Sequence, residues 1–553
     1  MREQTSYTNF AFYQDADADA TMVKENFLAR RSEYEIIKDD LLRHSGNRSV
    51  QHYLLKGKRG SGKSILLRRL QVEIETNEQL MSSYIAINLA EEQANIYRLF
   101  DLLEEIVREL EYREIEVEKI EESQDEAVYA RQLFYVIHQA LKKAGKKLVL
   151  LLDNIDRIFE NLEDDLSRLR QDLQNYGDIK IIGSCIRVTE HFWAYDKPFY
   201  DFFRVMEIRP LNREEVKALL LHWDSKVQGH TVRDFVERRP GQLETIRILT
   251  DGLPRTLRYF ADLLLINNRG TGYEYLRLLM DKVTPLYRER LNHLPPSQRK
   301  IVVQMAFAWE AAGAKELARA TRMENRLISA QLSQLIDKGV AEKIETSTKN
   351  HLYRLSERFF NLWLIFTQGS QRERRRARYL SIFLDNFYDG KELSRDDEHE
   401  PGSTYWRFLS FYEKNENKNE VASFLGSEKS DEFTVKASGL RTVLKAWCGD
   451  FSNLEEDVFQ LIRQGNPDLN FILTHLLIHH QVDLVYRVFT SDESGAQLVE
   501  QLLPLYYATR LLLPDAGSFS IKIPPEIMET VSALLFSIDQ KRDIYYHTGK
   551  DTR

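Results

Sequence analysis

Hydrophobic positions along the chain follow two patterns, and the change between them falls near residue 211. Before it, short continuous apolar runs alternate with segments in which apolar residues recur at helical spacing. Runs of this length are typical of strands that are buried on both faces of a parallel sheet. After residue 211, helical spacing dominates up to about residue 538. The pattern predicts an α/β domain followed by mostly helical domains.

Five apolar runs are predicted to be strands of the parallel sheet, and two later runs are predicted to form a hairpin. The hairpin follows three predicted helices after residue 295, an order that is typical of a winged helix. The predicted sheet strands are residues 53–55, 83–89, 147–153, 178–185 and 205–208, and the hairpin strands are residues 340–344 and 351–355.

The chain of 553 residues is too long for one hydrophobic core, because cores stop growing at about 250–300 residues. The patterns divide it into five segments. In chain order these are a polar N-terminal tail, residues 1–24; an α/β core, 25–211; an α-helical lid, 212–292; a winged-helix domain, 293–368; and a mostly α-helical C-terminal domain, 369–553.

Composition and charge narrow the classes of protein. The formal net charge of -8 argues against a chain coated with basic residues for nucleic acid, although a local cationic patch stays open. Cys185 and Cys448 are too few for a disulfide scaffold, so we expect the reducing cytoplasm. No apolar run reaches the ~18 residues of a membrane span, and we expect no membrane partner.

Residues 57–64 read Gly-Lys-Arg-Gly-Ser-Gly-Lys-Ser and stand between the first predicted strand and a predicted helix. This is the P-loop pattern, in which backbone N–H groups curl around phosphates and the helix N-terminus faces the same anion. Lys63 is predicted to reach the β- and γ-phosphates, and the Ser64 hydroxyl to hold Mg²⁺. The nucleotide contacts predicted here are Gly57, Arg59, Gly60, Ser61, Gly62, Lys63, Ser64 and Ile65.

A second candidate group ends the predicted strand 147–153, which terminates in Asp153. The carboxyl ends of parallel strands meet at one edge of the sheet, so Asp153 is expected opposite Ser64. Carboxylate and hydroxyl oxygens on two sides of a phosphate suit Mg²⁺. Ser64 and Asp153 are therefore the predicted metal ligands.

Residues 27–33 read Phe-Leu-Ala-Arg-Arg-Ser-Glu and lie one predicted helix ahead of the P-loop. They resemble the Phe-x-Gly-Arg-x-x-Glu box of many AAA+ and STAND-type ATPases, with Ala29 in place of the glycine. With the P-loop and Asp153, residues 25–366 resemble an ASCE-type P-loop NTPase of this kind, with an origin-recognition-like architecture. The resemblance implies ATP and Mg²⁺ as cofactors, with Phe27 and Arg30 packing over the adenine base. A surface amphipathic helix is the alternative for this segment.

One position departs from the pattern of these families. They usually place Glu after the strand-end acid to align the attacking water, whereas this chain has Asn154. Asn cannot accept a proton. Either Asp156 takes the role, or hydrolysis is slow and the protein works mainly as a nucleotide-held switch. We favour slow hydrolysis with Asp156 helping.

The resemblance also assigns residues beyond the P-loop and the strand-end acid. Ser184 and Arg187 fall where these families have the polar sensor 1 residue and its neighbours. Arg204 precedes the last strand, the position of the arginine finger that enters a neighbouring subunit; a surface arginine is the alternative. Pro254 and Arg255 resemble the Gly-x-Pro sensor 2 motif, with a plain helix-initiating turn as the alternative. The predicted catalytic residues are Lys63, Asp153, Asp156 and Arg204.

Two later segments raise the question of DNA. The predicted recognition helix of the winged helix has only Arg326 and Lys338 as cations, and in STAND proteins this domain generally packs on the ATPase, so we favour an internal role. Residues 372–378 contain five arginines, for which a solvated helix face is the default and phosphate contact the alternative.

His475 and His479 have the spacing of metal ligands but lack an apparent third ligand, so we expect ordinary histidines there.

These features favour an ATP-dependent switch of STAND/AAA+ type. It couples nucleotide state to the position of the lid and winged helix, and to oligomerisation or a protein partner of the C-terminal domain. Family habit suggests signalling or antiviral (antiphage) defence. The alternative is a DNA-binding AAA+ ATPase of the origin-recognition or transposition-regulator kind. Asn154 suggests a third hypothesis, a scaffold that binds ATP without turnover.

Overall fold

The structure is a computed structural model of the chain. It describes residues 20–43, 51–89, 95–121, 123–186, 188–225, 231–266, 270–346, 350–389, 404–427, 438–492, 494–514 and 516–546. Arg187, one of the predicted sensor residues, lies outside the described residues.

Strands and helices alternate in the first half of the chain. In chain order they are α1 (Ala20–Asn26), α2 (Arg31–Arg43), β1 (His52–Lys56), α3 (Lys63–Thr76), α4 (Glu78–Ser83), β2 (Tyr84–Leu89), α5 (Leu99–Tyr112), α6 (Glu126–Ala144), β3 (Lys147–Leu152), α7 (Ile155–Asn161), α8 (Leu166–Tyr176), β4 (Ile179–Cys185), α9 (Glu190–Trp193), β5 (Phe203–Glu207), α10 (Arg213–Ser225), α11 (Thr231–Arg238), α12 (Pro240–Leu249) and α13 (Pro254–Ile266).

Helices predominate in the second half, with three short strands among them. The elements are α14 (Gly272–Asn292), α15 (Pro296–Ala308), β6 (Ala312–Gly313), α16 (Ala314–Thr321), α17 (Asn325–Asp337), β7 (Ala341–Ile344), β8 (Leu352–Leu355), α18 (Arg358–Gln368), α19 (Gln371–Tyr388), α20 (Thr404–Lys414), α21 (Lys418–Leu425), α22 (Ser438–Cys448), α23 (Leu454–Arg463), α24 (Leu469–Ile478), α25 (Val482–Thr490), α26 (Gly495–Gln501), α27 (Leu503–Leu511) and α28 (Pro525–Tyr546).

The strands β1 to β5 form a parallel sheet in the order β2-β3-β4-β1-β5. β4 therefore lies between β1, which leads into the P-loop, and β3, which ends one residue before Asp153. The predicted fold class, a parallel-sheet P-loop NTPase followed by helical domains, is confirmed.

Alternate residues of each strand enter different hydrophobic clusters, as a sheet covered on both faces requires. Leu148, Leu150 and Leu152 pack with residues of α5, α6 and α8. Val149 and Leu151 pack with residues of α2 and α3. The buried faces of these helices thus hold both the sheet and the P-loop helix α3 in place.

The chain forms two compact units. The first comprises residues 1–233 and 252–266, and the second comprises residues 234–251 and 267–553. Helix α13 therefore belongs with the parallel sheet, whereas α12 and α14 belong to the second unit. The predicted lid, residues 212–292, contributes helices to both units, and the division into five segments stays a prediction.

Within the second unit, residues 296–355 run in the order helix, strand, helix, helix, strand, strand. The strands pair antiparallel in the order β6-β8-β7. β7 and β8 form the predicted hairpin, while β6, only two residues long, has no signal in the sequence pattern. The described part of the chain contains no helix that is both long and apolar enough to cross a bilayer.

Candidate nucleotide site

The P-loop leaves β1 and turns sharply before α3 begins. The Gly57 N–H donates to the Cys185 carbonyl at 3.1 Å, which fixes the start of the loop to the end of β4. Gly60 and Gly62 have φ angles of 76° and 96°, a left-handed conformation that costs other residues about 1–2 kcal/mol. Helix α3 begins at Lys63, so its positive N-terminus lies directly at the loop.

The Lys63 side chain is buried within the loop. Its Nζ donates to the carbonyls of Gly57 at 2.8 Å and Lys58 at 3.0 Å. Burial lowers the pKa of Lys63, and the nearby Asp153 carboxylate opposes that shift. A cation held in this way by neutral carbonyls, in a desolvated place, is well suited to a phosphate oxygen.

Asp153 lies where the sequence analysis predicts it, opposite Ser64. Its carboxylate accepts hydrogen bonds from Ser64 Oγ at 2.6 Å, from the Asn154 N–H at 3.2 Å and from Ser184 Oγ. Asp153 is buried, while Ser64 is exposed at the start of α3. A hydroxyl and one carboxylate are a partial ligand set that fits Mg²⁺, which takes its other ligands from phosphates and water.

Asp156 is the second residue of α7 and faces the P-loop. Its charge acts on both Lys63 and Cys185. Burial raises the pKa of Asp156, and within the described residues its Oδ1 atom is buried without a hydrogen-bond partner. The chain reaches this position through Asn154, whose left-handed φ of 52° turns it from β3 into α7.

Two arginines from different segments pack against the P-loop. Arg30 is 4% exposed, and its Nε donates to the Ser61 carbonyl at 3.0 Å. Arg255, the second residue of α13, lies beside Gly60: a Cβ atom on Gly60 would stand 3.2 Å from Arg255 Cβ and 3.6 Å from its Nε. The loop is therefore in contact with the segment before α2 and with the start of α13.

Three buried polar atoms around the loop have no hydrogen-bond partner among the described residues. They are Arg30 Nη2, Ser61 Oγ and Asp156 Oδ1. Buried polar groups in proteins are normally paired, and leaving one unpaired costs about 1–3 kcal/mol. Donors and acceptors clustered around an anion-binding loop fit a polar phosphate ligand such as a nucleotide.

Residues 26–182 match the profile of the AAA ATPase domain family. This segment is an AAA ATPase domain. The match contains the P-loop, Asp153 and Asp156, and the predicted recognition of an AAA+-type P-loop ATPase is confirmed. A domain of this family binds nucleotide and hydrolyses ATP.

Three solved structures that resemble the chain are a Cdc6 protein and two ORC structures with DNA. Cdc6p from Pyrobaculum aerophilum is 14% identical and covers 64% of this chain and 98% of its own, with a TM-score of 0.33. The Aeropyrum pernix ORC1 protein in complex with DNA is 14% identical and covers 62% and 93%, with a TM-score of 0.38. Drosophila ORC bound to DNA is 11% identical and covers 64% and 93%, with a TM-score of 0.32.

The chain is at most 14% identical to these three structures, and no TM-score exceeds 0.38. Among curated protein sequences, none matches it.

Three other predicted site residues lie at the P-loop or at the edge of the sheet beside it. Ser184 is fully buried and bonds to Asp153, and its Oγ also accepts the Asn154 N–H at 3.3 Å. Arg59 is exposed on the loop, and Ile65 is 43% exposed at the first turn of α3.

Two other residues predicted at the nucleotide site, Phe27 and Arg204, pack against tyrosine rings. Phe27 is buried in the core and meets the Tyr34 ring edge-on, with centroids 5.4 Å apart. Arg204 is paired in register with Tyr53 and stacks over its ring at 5.9 Å, three residues before β1 reaches the P-loop edge. Their predicted roles, contact with the base and an arginine finger, stay predictions.

Pro254 is the first residue of α13, where its fixed φ suits a helix start. Its neighbour Arg255 is the part of this turn that reaches the loop.

Cys185 belongs to the site, although the sequence pattern did not single it out. It ends β4, its carbonyl accepts the Gly57 N–H, and its thiol is near enough to Asp156 for the carboxylate to oppose ionisation of the thiol. Burial raises the pKa of the thiol to about 12, so it stays protonated at neutral pH. A sequence signal did exist, since Cys185 is the last residue of a predicted strand that ends at the P-loop edge.

His475 and His479 have partners that do not form a metal site. His475 lies 2.9 Å from the Phe471 carbonyl, and His479 lies between the hydroxyls of Tyr412 at 2.9 Å and Tyr546 at 2.8 Å. Among the residues that the structure describes, no group of three or more His, Cys, Asp or Glu side chains is arranged to hold a metal ion.

Proposed function

We propose that the chain is an ATP-dependent molecular switch of the STAND/AAA+ type, in which α13 responds to the nucleotide. The observation that carries this proposal is the position of Arg255. A helix outside the matched domain places its second residue against Gly60, inside the loop that would hold the phosphates. Phosphate charge at the loop would therefore act directly on α13.

The residues of the site would act as follows. Lys63 would exchange its carbonyl partners for phosphate oxygens, and Ser64 and Asp153 would hold Mg²⁺ between them. Bound Mg²⁺ neutralises phosphate charge and makes the γ-phosphate a better acceptor for water. Arg30 would direct its unpaired Nη2 toward the nucleotide while its Nε keeps the loop in place.

We propose slow hydrolysis. The usual glutamate position is Asn154, which cannot accept a proton, and its backbone N–H is engaged with Asp153 and Ser184. Asp156 is the available carboxylate, and a raised pKa brings it closer to the range in which a general base is effective.

The connectivity of the chain supports coupling between the nucleotide and the second unit. The chain passes between the units around residues 233, 251 and 266, so α13 is continuous with the second unit at both of its ends. Movement of α13 would therefore reposition residues 234–251 and 267–553, including the predicted winged helix. We propose that this exposes a surface for self-assembly or for a protein partner of the C-terminal helices.

A role in cytoplasmic signalling or antiviral defence is consistent with a switch of this kind.

Assembly state measured with and without ATP-Mg²⁺ tests the proposal. Sedimentation or mass photometry of the wild-type chain is expected to show a change on adding ATP-Mg²⁺, and Lys63→Ala is expected to abolish it. Lys119→Ala, an exposed lysine away from the loop, is the matched control and should behave like wild type. ATP binding without any change in assembly or turnover would favour the scaffold hypothesis instead.

A further inference from the structure

Helix α19 carries the arginine-rich run, and the structure separates its five arginines by environment. Arg372 forms an ion pair with Glu500 at 2.7 Å. Arg376 is half-buried and lies near Tyr507. Arg374, Arg375 and Arg378 are exposed, and within the described residues none of these three takes part in an ion pair. We call these three the arginine face.

The arginine face occupies one side of the helix. At 100° per residue, its members fall within about 100° of one another around the helix axis. The opposite side is buried in the second unit through Ala377, Leu380, Phe383 and Leu384. Arg374 and Arg378 are one turn apart, a rise of about 6 Å, so their guanidinium groups can reach separate phosphates of one strand.

The position of these arginines is unfavourable for the helix itself. Arg374 lies at the end of the first turn of α19, close to the positive end of the helix dipole, where a cation loses up to about 0.3–1 kcal/mol. Arg374 and Arg378 are like charges at i and i+4, which costs a further ~0.2–0.5 kcal/mol. In a chain of net charge -8, this unpaired local excess of positive charge is best explained by an anionic partner.

We propose that the arginine face of α19 binds the phosphodiester backbone of a nucleic acid. Its members are all arginine, whose planar guanidinium matches phosphate in a bidentate manner that lysine cannot reproduce. A membrane surface fits less well, because the apolar side of α19 is buried and cannot enter lipid, and three arginines alone would gain only about 1 kcal/mol each at an anionic surface. The helix N-terminus adds a favourable field for the same anion. This inference goes beyond the proposed switch and does not depend on it.

Salt-dependent binding of the full chain to short duplex DNA and duplex RNA tests this inference. Fluorescence anisotropy of the wild type should give a steep fall of affinity with salt, without preference for sequence. In the variant with Arg374→Gln, Arg375→Gln and Arg378→Gln, the slope of log K against log salt should fall by about 2.7, or 0.9 for each lost contact. Between about 50 and 200 mM salt, the wild type should therefore lose about 40-fold more affinity than the variant.

A matched control changes three exposed arginines of the predicted winged helix, Arg319, Arg322 and Arg326, to glutamine. It removes the same charge from the same unit and should keep the wild-type slope. Replacing the arginine face by three lysines should keep the salt slope while weakening binding. ATP affinity of each variant shows whether the nucleotide site is intact.

Three outcomes would overturn the inference. The first is no binding to either duplex at low salt. The second is an equal loss in the winged-helix control, which would move the contact to Arg319, Arg322 and Arg326. The third is equally tight binding to polyglutamate, which would indicate an acidic protein partner.

Discussion

Replacing Asp156 by asparagine should stabilise the AAA ATPase domain and, at the same time, slow ATP hydrolysis. Asp156 Oδ1 is buried without a partner, and burial penalises the charged form of this carboxyl, as its raised pKa indicates. Asparagine removes the charge but leaves a polar atom in the same place, so only the charged part of the ~1–3 kcal/mol cost of an unpaired buried group is recovered. The N-terminus of α7 returns about 0.3–1 kcal/mol to the carboxylate. The side chain is only partly buried, so solvent screening favours the low end of this cost. We therefore expect the free energy of unfolding at pH 7 to rise by about 1 kcal/mol.

The size of this stabilisation depends on pH. Burial raises the pKa of Asp156 in the folded state above its value of about 3.9 in the unfolded chain. Below pH ~3.9 the Asp156 carboxyl is protonated in both states, so it carries no buried charge and does not destabilise the fold. As the pH rises from there through the folded-state pKa, the carboxyl becomes charged and the free energy of unfolding of the wild type falls. The advantage of Asp156→Asn over wild type should grow as the pH rises from ~3.9 through the folded-state pKa and stay constant above it.

Thermal unfolding and ATP turnover, measured on the same samples, provide the assay. The midpoint of unfolding should rise by about 2–4 °C, while turnover should fall by about 100-fold if Asp156 acts as the base. Asp164→Asn is the control, because its side chain is 93% exposed and the same chemical change should shift stability by less than ~0.5 kcal/mol. A destabilised variant with unchanged turnover would refute the assignment of Asp156.

Three further predictions concern single residues. Gly60→Ala should weaken ATP binding, because its Cβ would stand 3.2 Å from the Cβ of Arg255 and push the loop and α13 apart. Gly145→Ala has a similar φ of 66° with nothing within 4 Å and should cost only about 1 kcal/mol. Isothermal titration and thermal unfolding compare the two variants. Ser184→Ala removes a hydrogen bond to the Asp153 carboxylate and should lower the free energy of unfolding by about 1.5–3 kcal/mol in denaturant titrations. Burial, and then the charge of a nearby lysine, lower the pKa of His52 to about 3, so this residue stabilises the fold above its unfolded pKa of 6.5. That contribution should be lost at up to about 1.4 kcal/mol per pH unit as the pH falls from 6.5 toward 3, a slope that His52→Asn should flatten.

The parts of the fold that the sequence predicts best are those in which local pattern and burial agree. The run 147–153 is apolar because β3 is covered on both faces, and its pattern alone locates Asp153 at the sheet edge. The P-loop is likewise readable because Gly60 and Gly62 occupy backbone conformations that other residues avoid. Predictions of this kind depend on neighbours in the chain.

Contacts between distant segments were harder to predict. That Arg255 would lie beside Gly60 came from a resemblance, since nothing in the local sequence indicates which helix reaches the loop. The place of Cys185 in the site, and the division of the predicted lid between two units, depend on how strands and helices pack. In α19 the run of arginines is visible in the sequence, but only packing separates Arg376 from the three that face outward.

The central claim is that nucleotide at the P-loop acts on α13 through Arg255. Hydrogen exchange of residues 254–266 with and without ATP-Mg²⁺ tests it most directly. We predict slower exchange in this helix on adding ATP-Mg²⁺ to the wild type, and no change in Lys63→Ala. Tight ATP binding with unchanged exchange of α13 in the wild type would contradict the claim.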